Sequence, residues 1–327
     1  MKKTEILVTG GAGYIGSHMV RKLSEAGYLP IAIDNLVYGH KKALNKDIPF
    51  YKGNIGNRKI LNKIFSKHNI KAVMHFSAYA YVGESVENPA KYYENNVAET
   101  LQLLEAMAEN KIKYFIFSST CATYGNPQTE KISETHPQNP INPYGQTKLI
   151  VEKILGDFDQ AYGLKNMILR YFNAAGADDA ASIGESHDPE THLIPLVLQN
   201  ILGKRKEIKV FGSDYPTKDG TCIRDYIHVY DLAQAHLLAL EKLLSGSKSD
   251  YFNLGTENGY SVLEVIKTCE QISNQKAKVI ISDRRPGDPA ILIADSTKAK
   301  KILNWKPKYT LEKIIKTAWN WEKQRKY

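Results

Sequence analysis

Two groups of residues have types and spacings that can do chemistry. The first is Asn142-Pro143-Tyr144-Gly145-Gln146-Thr147-Lys148, which follows an apolar stretch ending in Ser118-Ser119-Thr120. Asn142 can cap a helix with Pro143 in its first position, so Tyr144 and Lys148, four residues apart, share one helical face. Tyrosine has a solution pKa of about 10, and a drop of about 3 units to act as a base near neutrality requires roughly 4 kcal/mol of phenolate stabilisation. A Lys148 ammonium is one source of that stabilisation. The Thr120 hydroxyl can hydrogen-bond a reacting alcohol oxygen and share its proton. Spaced tyrosine and lysine pairs arise by chance in most chains of this size; the position behind a strand ending Ser-Ser-Thr gives this one its weight.

The second group is Thr9-Gly10-Gly11-Ala12-Gly13-Tyr14-Ile15-Gly16, which satisfies G-x-x-G-x-x-G through Gly10, Gly13 and Gly16 and G-x-G-x-x-G through Gly11, Gly13 and Gly16. It lies between an apolar run and an amphipathic segment. That context suits a tight turn whose backbone approaches a pyrophosphate and whose helix N-terminus faces the anion. Asp34 ends the next apolar run, 23 residues after Gly11. A carboxylate there binds both hydroxyls of an adenosine ribose and repels a 2′-phosphate, so NAD is expected rather than NADP. The positive nicotinamide is then a second source of stabilisation for a Tyr144 phenolate.

These residues need a frame, and the pattern supplies one. Ile6–Thr9 reads as a strand, Ile15, Met19 and Leu23 as a helix stopped by Gly27, and Ile31–Asp34 as a strand. A helix around Ile60–Phe65, a strand over Ala72–Phe76, a helix opened by Asn88-Pro89 and a strand over Tyr114–Phe117 follow. Short apolar strands alternating with helices imply a parallel sheet covered on both faces, a doubly wound α/β (Rossmann) fold. After about residue 172 the rhythm changes to Gly- and Asp-rich stretches and shorter elements. We read residues 1–172 as an NAD-binding lobe, joined by 223–247, and 173–327 as a smaller, interleaved α/β lobe that binds substrate.

The chain has 327 residues, 43% hydrophobic and 24% charged, which excludes disordered, collagen-like and disulfide-scaffold classes. Three cysteines (Cys121, Cys222, Cys269), without a C-x-x-C pair or a histidine at metal-ligand spacing, support neither a disulfide framework nor a metal site. There is no apolar run of membrane length and no signal peptide, so a cytoplasmic protein is expected. The net charge of +9 is concentrated in residues 265–327, which hold 15 Lys/Arg against 6 Asp/Glu. Lys298, Lys300, Lys301, Lys306 and Lys308 lack aromatic interleaving and read as a solvated face, with no nucleic-acid or membrane partner.

TGGAGYIGSH, HFSAYAYVGESVENP, YYENNV, FSSTCATYGNP, PYGQTK, LRYFNAAGA, HLIP, DGTCIRDYIHVYDLA, YFNLGT and RRPGDPA span nearly the whole chain. On them the sequence resembles the extended short-chain dehydrogenase/reductase family, at its UDP-sugar 4-epimerases. The resemblance implies a tightly held NAD that is reduced and reoxidised in each turnover. Tyr144 would take the proton of the sugar 4-hydroxyl as the C4 hydride leaves. The 4-keto sugar would swing about its link to the diphosphate, and the returning hydride would invert C4, interconverting UDP-galactose and UDP-glucose. Lys148 would bind the nicotinamide ribose, and Thr120 would replace the serine common in the family. A homodimer is the expected assembly.

By the same resemblance, Tyr14, Ile15, Asp34, Asn35, Asn54, Ile55, Phe76, Asn95 and Phe172 belong to the cofactor pocket. Asn173, His192, Leu193, Phe211, Arg224, Arg285 and Asp288 fall where the family binds UDP-sugar, and arginine forks suit a diphosphate. Asn54 stands where an aspartate often reads the adenine, and Ser77-Ala78-Tyr79-Ala80 replaces a stretch often ending in lysine. Leu292, four residues past Asp288, falls at the C2 side of the sugar. Its intermediate bulk implies slow side activity on UDP-N-acetylhexosamines. Two alternatives share the fold: a nucleotide-sugar 4,6-dehydratase, which carries Asp-Glu where this chain has Cys121-Ala122, and a non-catalytic NAD-sensing module, which typically loses the Tyr or the Lys.

Overall fold

The computed structural model describes residues 3–285 and 288–327. Of the RRPGDPA stretch, Pro286 and Gly287 therefore lie outside the described residues. The first half runs β1 (Glu5–Thr9), α1 (Tyr14–Glu25), β2 (Leu29–Asp34), β3 (Phe50–Lys52), α2 (Arg58–Lys67), β4 (Ile70–His75), α3 (Val82–Glu87), α4 (Pro89–Tyr93), α5 (Glu99–Glu109), β5 (Tyr114–Thr120), β6 (Lys131–Ile132), α6 (Pro143–Tyr162) and β7 (Lys165–Tyr171). The second runs β8 (Asn173–Ala175), α7 (Leu193–Ile201), β9 (Ile208–Phe211), β10 (Ile223–His228), α8 (Val229–Leu244), β11 (Asp250–Leu254), β12 (Gly259–Ser261), α9 (Val262–Ser273), β13 (Val279–Ser282), β14 (Ile291–Ala294), α10 (Thr297–Ile302) and α11 (Leu311–Gln324).

Seven parallel strands in the order β11-β7-β5-β4-β1-β2-β3 form the main sheet. The chain winds outward from β1 through β2 and β3, then returns to the other side of β1 with β4. That reversal opens a crevice beyond the carboxyl ends of β1 and β4, where such sheets bind ligands. Each face is apolar because each is covered. Met19 and Leu23 of α1 and Leu232 and Leu240 of α8 pack on one side, and Leu61, Leu104 and Val151 of α2, α5 and α6 on the other.

Strands β12-β10-β14-β6 form a second sheet, with β8 paired to β10, and β13 pairs with β9. Ile194, Val197, Val265, Ile266, Ile314 and Ile315 of α7, α9 and α11 share a separate core above it.

The interleaving differs from the expected insertion of 223–247 into the first lobe. The helix α8 does pack on the main sheet, but the strand before it, β10, belongs to the second sheet. The strand that returns to the main sheet is β11, against β7. Trp305 and Leu303, placed by sequence in the second lobe, also bury against the main sheet, with Trp305 Nε1 donating to Asp231 O at 2.9 Å.

Local signals explain the helix that carries the Tyr–Lys pair. Asn142 accepts from Gly145 N at 2.8 Å, Pro143 takes the first turn, and Gly163 ends α6 in the left-handed region at φ 66°.

Candidate active site

A single cleft of about 1790 Å³ runs from the carboxyl ends of β1 and β4 to the second sheet. Ligand pockets for drug-sized molecules occupy roughly 300–1,000 Å³, so this one has room for a dinucleotide and a nucleotide sugar together.

Its floor is the glycine turn. Gly10 has φ 65°, and a Cβ there would lie 2.7 Å from Ser77 N. At Gly16 a Cβ would lie 2.0 Å from Gly10 O, so the helix can start this close to the strand only with hydrogen at that position. Gly13 precedes α1 with no side-chain cap, and Gly10, Gly13, Tyr14, Ile15 and Gly16 all face the cleft. Gly11 does not face it, which selects the register 10, 13, 16. A Cβ at Gly11 would meet Ala32 Cβ at 2.8 Å, so that glycine serves packing of β1 on β2.

At the end of β2, Asp34 accepts from Ala12 N at 3.0 Å and from Leu36 N at 2.8 Å and lines the cleft with lone pairs to spare. Burial pushes its carboxyl up, while the amides of Leu36, Ala12 and Gly13 oppose that. Asn35, Asn54, Ile55, Phe76, Asn95 and Phe172 line the same cavity. Asn54 donates to Glu99 Oε1 at 3.0 Å, so an amide with a carboxylate behind it stands where the resemblance placed an aspartate. Together, the side-chain-free turn, the uncapped helix start and the carboxylate beyond it fit a dinucleotide whose ribose hydroxyls are free.

Tyr144 and Lys148 face the cleft from α6, opposite Thr120 at the end of β5. Burial raises Tyr144 well above its ordinary value, and hydrogen bonding with Thr120 opposes it. Lys148 donates to Ser118 O at 2.8 Å and lies over the Phe117 ring at 4.8 Å. Burial lowers it to about 7, with Glu152 pulling the other way. In the protein alone Lys148 is turned to the β5 carbonyl, and burial holds Tyr144 above its ordinary value.

The far end of the cleft is assembled from dispersed elements: Asn173 on β8, His192 and Leu193 at the start of α7, Phe211 on β9, Arg224 on β10, and Leu292 on β14. Arg224 pairs with Asp288, and Arg285 lies over the Phe211 ring at 4.1 Å. Leu292 packs with Tyr124, Ile132, Phe172 and Ala294 and still reaches the cavity.

Several residues the motifs did not reveal hold this arrangement. Between α4 and α5, Glu94–Ala98 forms a π-helical turn, an insertion frequent at functional sites. It buries Asn96, whose amide donates to Tyr79 O at 3.0 Å and Thr147 Oγ1 at 3.1 Å, tying the loop after β4 to α6. Beneath β5, Glu152 is held by Arg170, Ser119 and Gln138. Tyr14, from the glycine motif itself, donates to Gly176 O at 2.6 Å and joins the glycine turn to the second lobe. A last departure concerns metals. The sequence reading found no histidine at ligand spacing, yet the ligating atoms of Glu185, His187, Glu190 and His192 lie within 4.8 Å of one another on the cleft wall. The donors sit at i, i+2, i+5 and i+7 of one loop, a spacing no helix or strand periodicity highlights.

The basic C-terminal region is partly neutralised: Lys298 pairs with Asp250 at 2.5 Å and Lys300 with Glu257 at 2.8 Å. Among the described residues no helix is long and apolar enough to cross a membrane. The cysteines are free.

A Rossmann sheet with this turn and this Tyr–Lys pair defines a class of NAD-dependent enzymes acting on an alcohol. The profile of the NAD dependent epimerase/dehydratase family matches residues 6–255, and the chain belongs to that family. Within it, the chain is 54% identical to the UDP-glucose 4-epimerase of Halalkalibacterium halodurans over 98% of this chain and 96% of that protein. The crystal structure of UDP-glucose 4-epimerase from Brucella ovis in complex with NAD superposes with a TM-score of 0.94 at 48% identity, covering 97% of each chain. The UDP-Glc/GlcNAc 4-epimerase from Campylobacter jejuni gives a TM-score of 0.86 at 43% identity, over 98% of this chain and 99% of that one.

Proposed function

We propose that this chain is a UDP-glucose 4-epimerase, interconverting UDP-galactose and UDP-glucose through a 4-keto sugar, with NAD held in the first lobe and the UDP-sugar in the second. The observation that carries the reading is the placement of Tyr144, Lys148 and Thr120 where the glycine-floored and arginine-lined ends of one cleft meet. The relatives' names point the same way.

When bound on the glycine turn, NAD supplies a hydride acceptor and donor for C4 of the sugar. Tyr144 holds the proton of the 4-hydroxyl and returns it to the same oxygen once the sugar has turned over to present the other face of C4. Since burial in the protein alone raises Tyr144, its phenolate depends on the ligands that fill the cleft and on a Lys148 drawn from the Ser118 carbonyl toward a ribose hydroxyl. Thr120 donates to or accepts from the sugar oxygen as the proton moves. Arg224 and Arg285 anchor the diphosphate, leaving the hexose free to turn over about its link to the phosphate.

The dehydratase alternative fails on the same residues. Its acid–base pair would fall at Cys121 and Ala122, and burial pushes the Cys121 thiol up to about 12. The finer parts of the reading, a cytoplasmic homodimer with slow activity on UDP-N-acetylglucosamine, rest on family resemblance and on the intermediate bulk of Leu292. Incubating the purified protein with UDP-galactose and no added NAD should yield UDP-glucose; a dehydrated keto sugar as the product would overturn the assignment.

A further inference from the structure

We propose that Glu185, His187, Glu190 and His192 bind one zinc-class divalent cation, in a structural site that fixes the segment between β8 and α7 against the cofactor end of the cleft. The four side chains offer two imidazole nitrogens and two carboxylate oxygens within 4.8 Å of one another. Bonds of about 2.0–2.2 Å to a tetrahedral zinc require ligand–ligand edges of roughly 3.3–3.6 Å. Two such edges are present, Glu185 Oε1 to His187 Nδ1 at 3.3 Å and His187 Nδ1 to Glu190 Oε2 at 3.6 Å, while His192 Nδ1 lies 3.6 Å from the other Glu190 oxygen, Oε1. His192 and Glu185 instead meet through a direct hydrogen bond shorter than such an edge, so a metal would have to displace its proton and part the two atoms.

Ion pairing at 3.3 and 3.6 Å reaches two of these atoms without closing a hydrogen bond on either. His187 Nδ1 and Glu190 Oε2 are buried without a hydrogen bond, and the Glu190 side chain is only 3% exposed. At 3.6 Å they are too far apart to bond each other, yet they stand at the separation a shared cation would set. Leaving such groups unsatisfied is costly, and native structures rarely do so. Two carboxylates and two neutral imidazoles around a divalent ion sum to zero charge, which suits a site whose carboxylates are almost fully buried.

The donor set selects the metal. Mixed imidazole and carboxylate ligands suit zinc, whereas magnesium and calcium take oxygen. All four positions are filled by protein, as in sites that support structure rather than activate water. The segment is already held from outside, with Trp321 Nε1 donating to Glu185 O at 2.7 Å, and His192 stands at the N-cap position of α7 with its ring free of any capping bond. A cation at its centre would lock that start to the neighbourhood of Tyr14, whose hydroxyl feels both carboxylates.

The test uses full-length protein without a polyhistidine tag. After dialysis against zinc chloride and then buffer, elemental analysis should find one zinc per chain, with magnesium and calcium binding weaker by about 100-fold or more. Cobalt substituted for zinc should give the intense visible absorption of a tetrahedral centre. His187→Gln and Glu190→Gln should each weaken zinc binding by roughly 100-fold or more, given that even outer partners are worth about 10–100-fold. A wild-type protein that retains no zinc, or that gives only weak octahedral cobalt bands, overturns the proposal. So do variants that bind as the wild type does. Stoichiometry and the cobalt spectrum of the wild type decide the matter even if a variant does not fold.

Discussion

The two ends of the cleft are built in opposite ways. The cofactor end is made of main chain: a contiguous turn whose function lies in what its residues lack, with glycine hydrogens where any side chain would collide. The far end is made of side chains brought from β8, α7, β9, β10 and β14, spread from Asn173 to Leu292. A main-chain site fails abruptly when a methyl group is added, because the backbone has nowhere to go. A side-chain site degrades in steps, one contact at a time.

The largest effect should come from Gly16→Ala. Its Cβ would fall 2.0 Å from Gly10 O, so α1 must shift and the turn open. We expect loss of NAD retention by more than about 100-fold and a lower melting temperature, read from bound-cofactor absorbance and thermal unfolding. Retained cofactor would break the contrast at its stronger side. Where the two ends meet, Tyr144→Phe should lower kcat by about 10²–10⁴-fold while leaving NAD and UDP-sugar binding intact, as expected when a general base is removed with little volume. Unchanged turnover in that variant would place the base elsewhere.

At the far end, Arg285→Ala should raise the dissociation constant for UDP about 10–100-fold, from one lost charge-assisted contact of about 1.5–3 kcal/mol, with NAD binding unaffected. Calorimetry separates the two ligands; parallel loss of both would mean the ends are not independent.

The buried helix faces behind the cofactor end should make it acid-sensitive. Burial lowers His18 and His236 to about 4 from 6.5. The unfolded chain then binds protons that the folded chain excludes between pH 6.5 and about 4, so these groups cost stability as pH falls through that window. Each contributes up to roughly 3 kcal/mol at the acid limit. Melting temperature should drop across it, and His236→Gln should flatten the drop; an equal slope in the variant would remove His236 from the account.

The smallest effect is Leu292→Tyr. It should cut kcat/KM for UDP-N-acetylglucosamine by about 10-fold and leave UDP-galactose nearly unchanged, within the roughly 1–3 kcal/mol that pocket bulk can discriminate. Equal losses on both substrates would show that Leu292 only packs β14.

The same division governs what the sequence disclosed. The glycine turn, Asp34 and the Asn142-Pro143 cap could be read directly, because each is a local signal with a local physical cause. The alternation of apolar runs with helices likewise gave the parallel sheet. The short edge strand Phe50–Lys52 was missed because three residues carry no period, and the π turn at Glu94–Ala98 was hidden inside an otherwise helical pattern. Asn96, Glu152 and Arg170 are polar residues whose importance comes only from burial, which no single-sequence pattern displays. The far-end residues were placed by resemblance alone: Arg224 and Asp288 meet only after β10 and β14 pair. The Glu185–His192 cluster went unnoticed because its loop makes the spacing useful.

The late arrival of β11 bears on how the chain is made as well as on what it binds. β7 finds its outer neighbour only after the intervening β8–α8 region has been synthesised, so the main sheet emerges from the ribosome with an open edge. Covering β7 with β11 depends on a non-local pairing, which folds slowly, and until then the unpaired side of β7 invites pairing with other chains. A shortened product ending before residue 250 would carry that edge permanently, and the lobe that looks most autonomous in sequence would be prone to aggregate when expressed by itself.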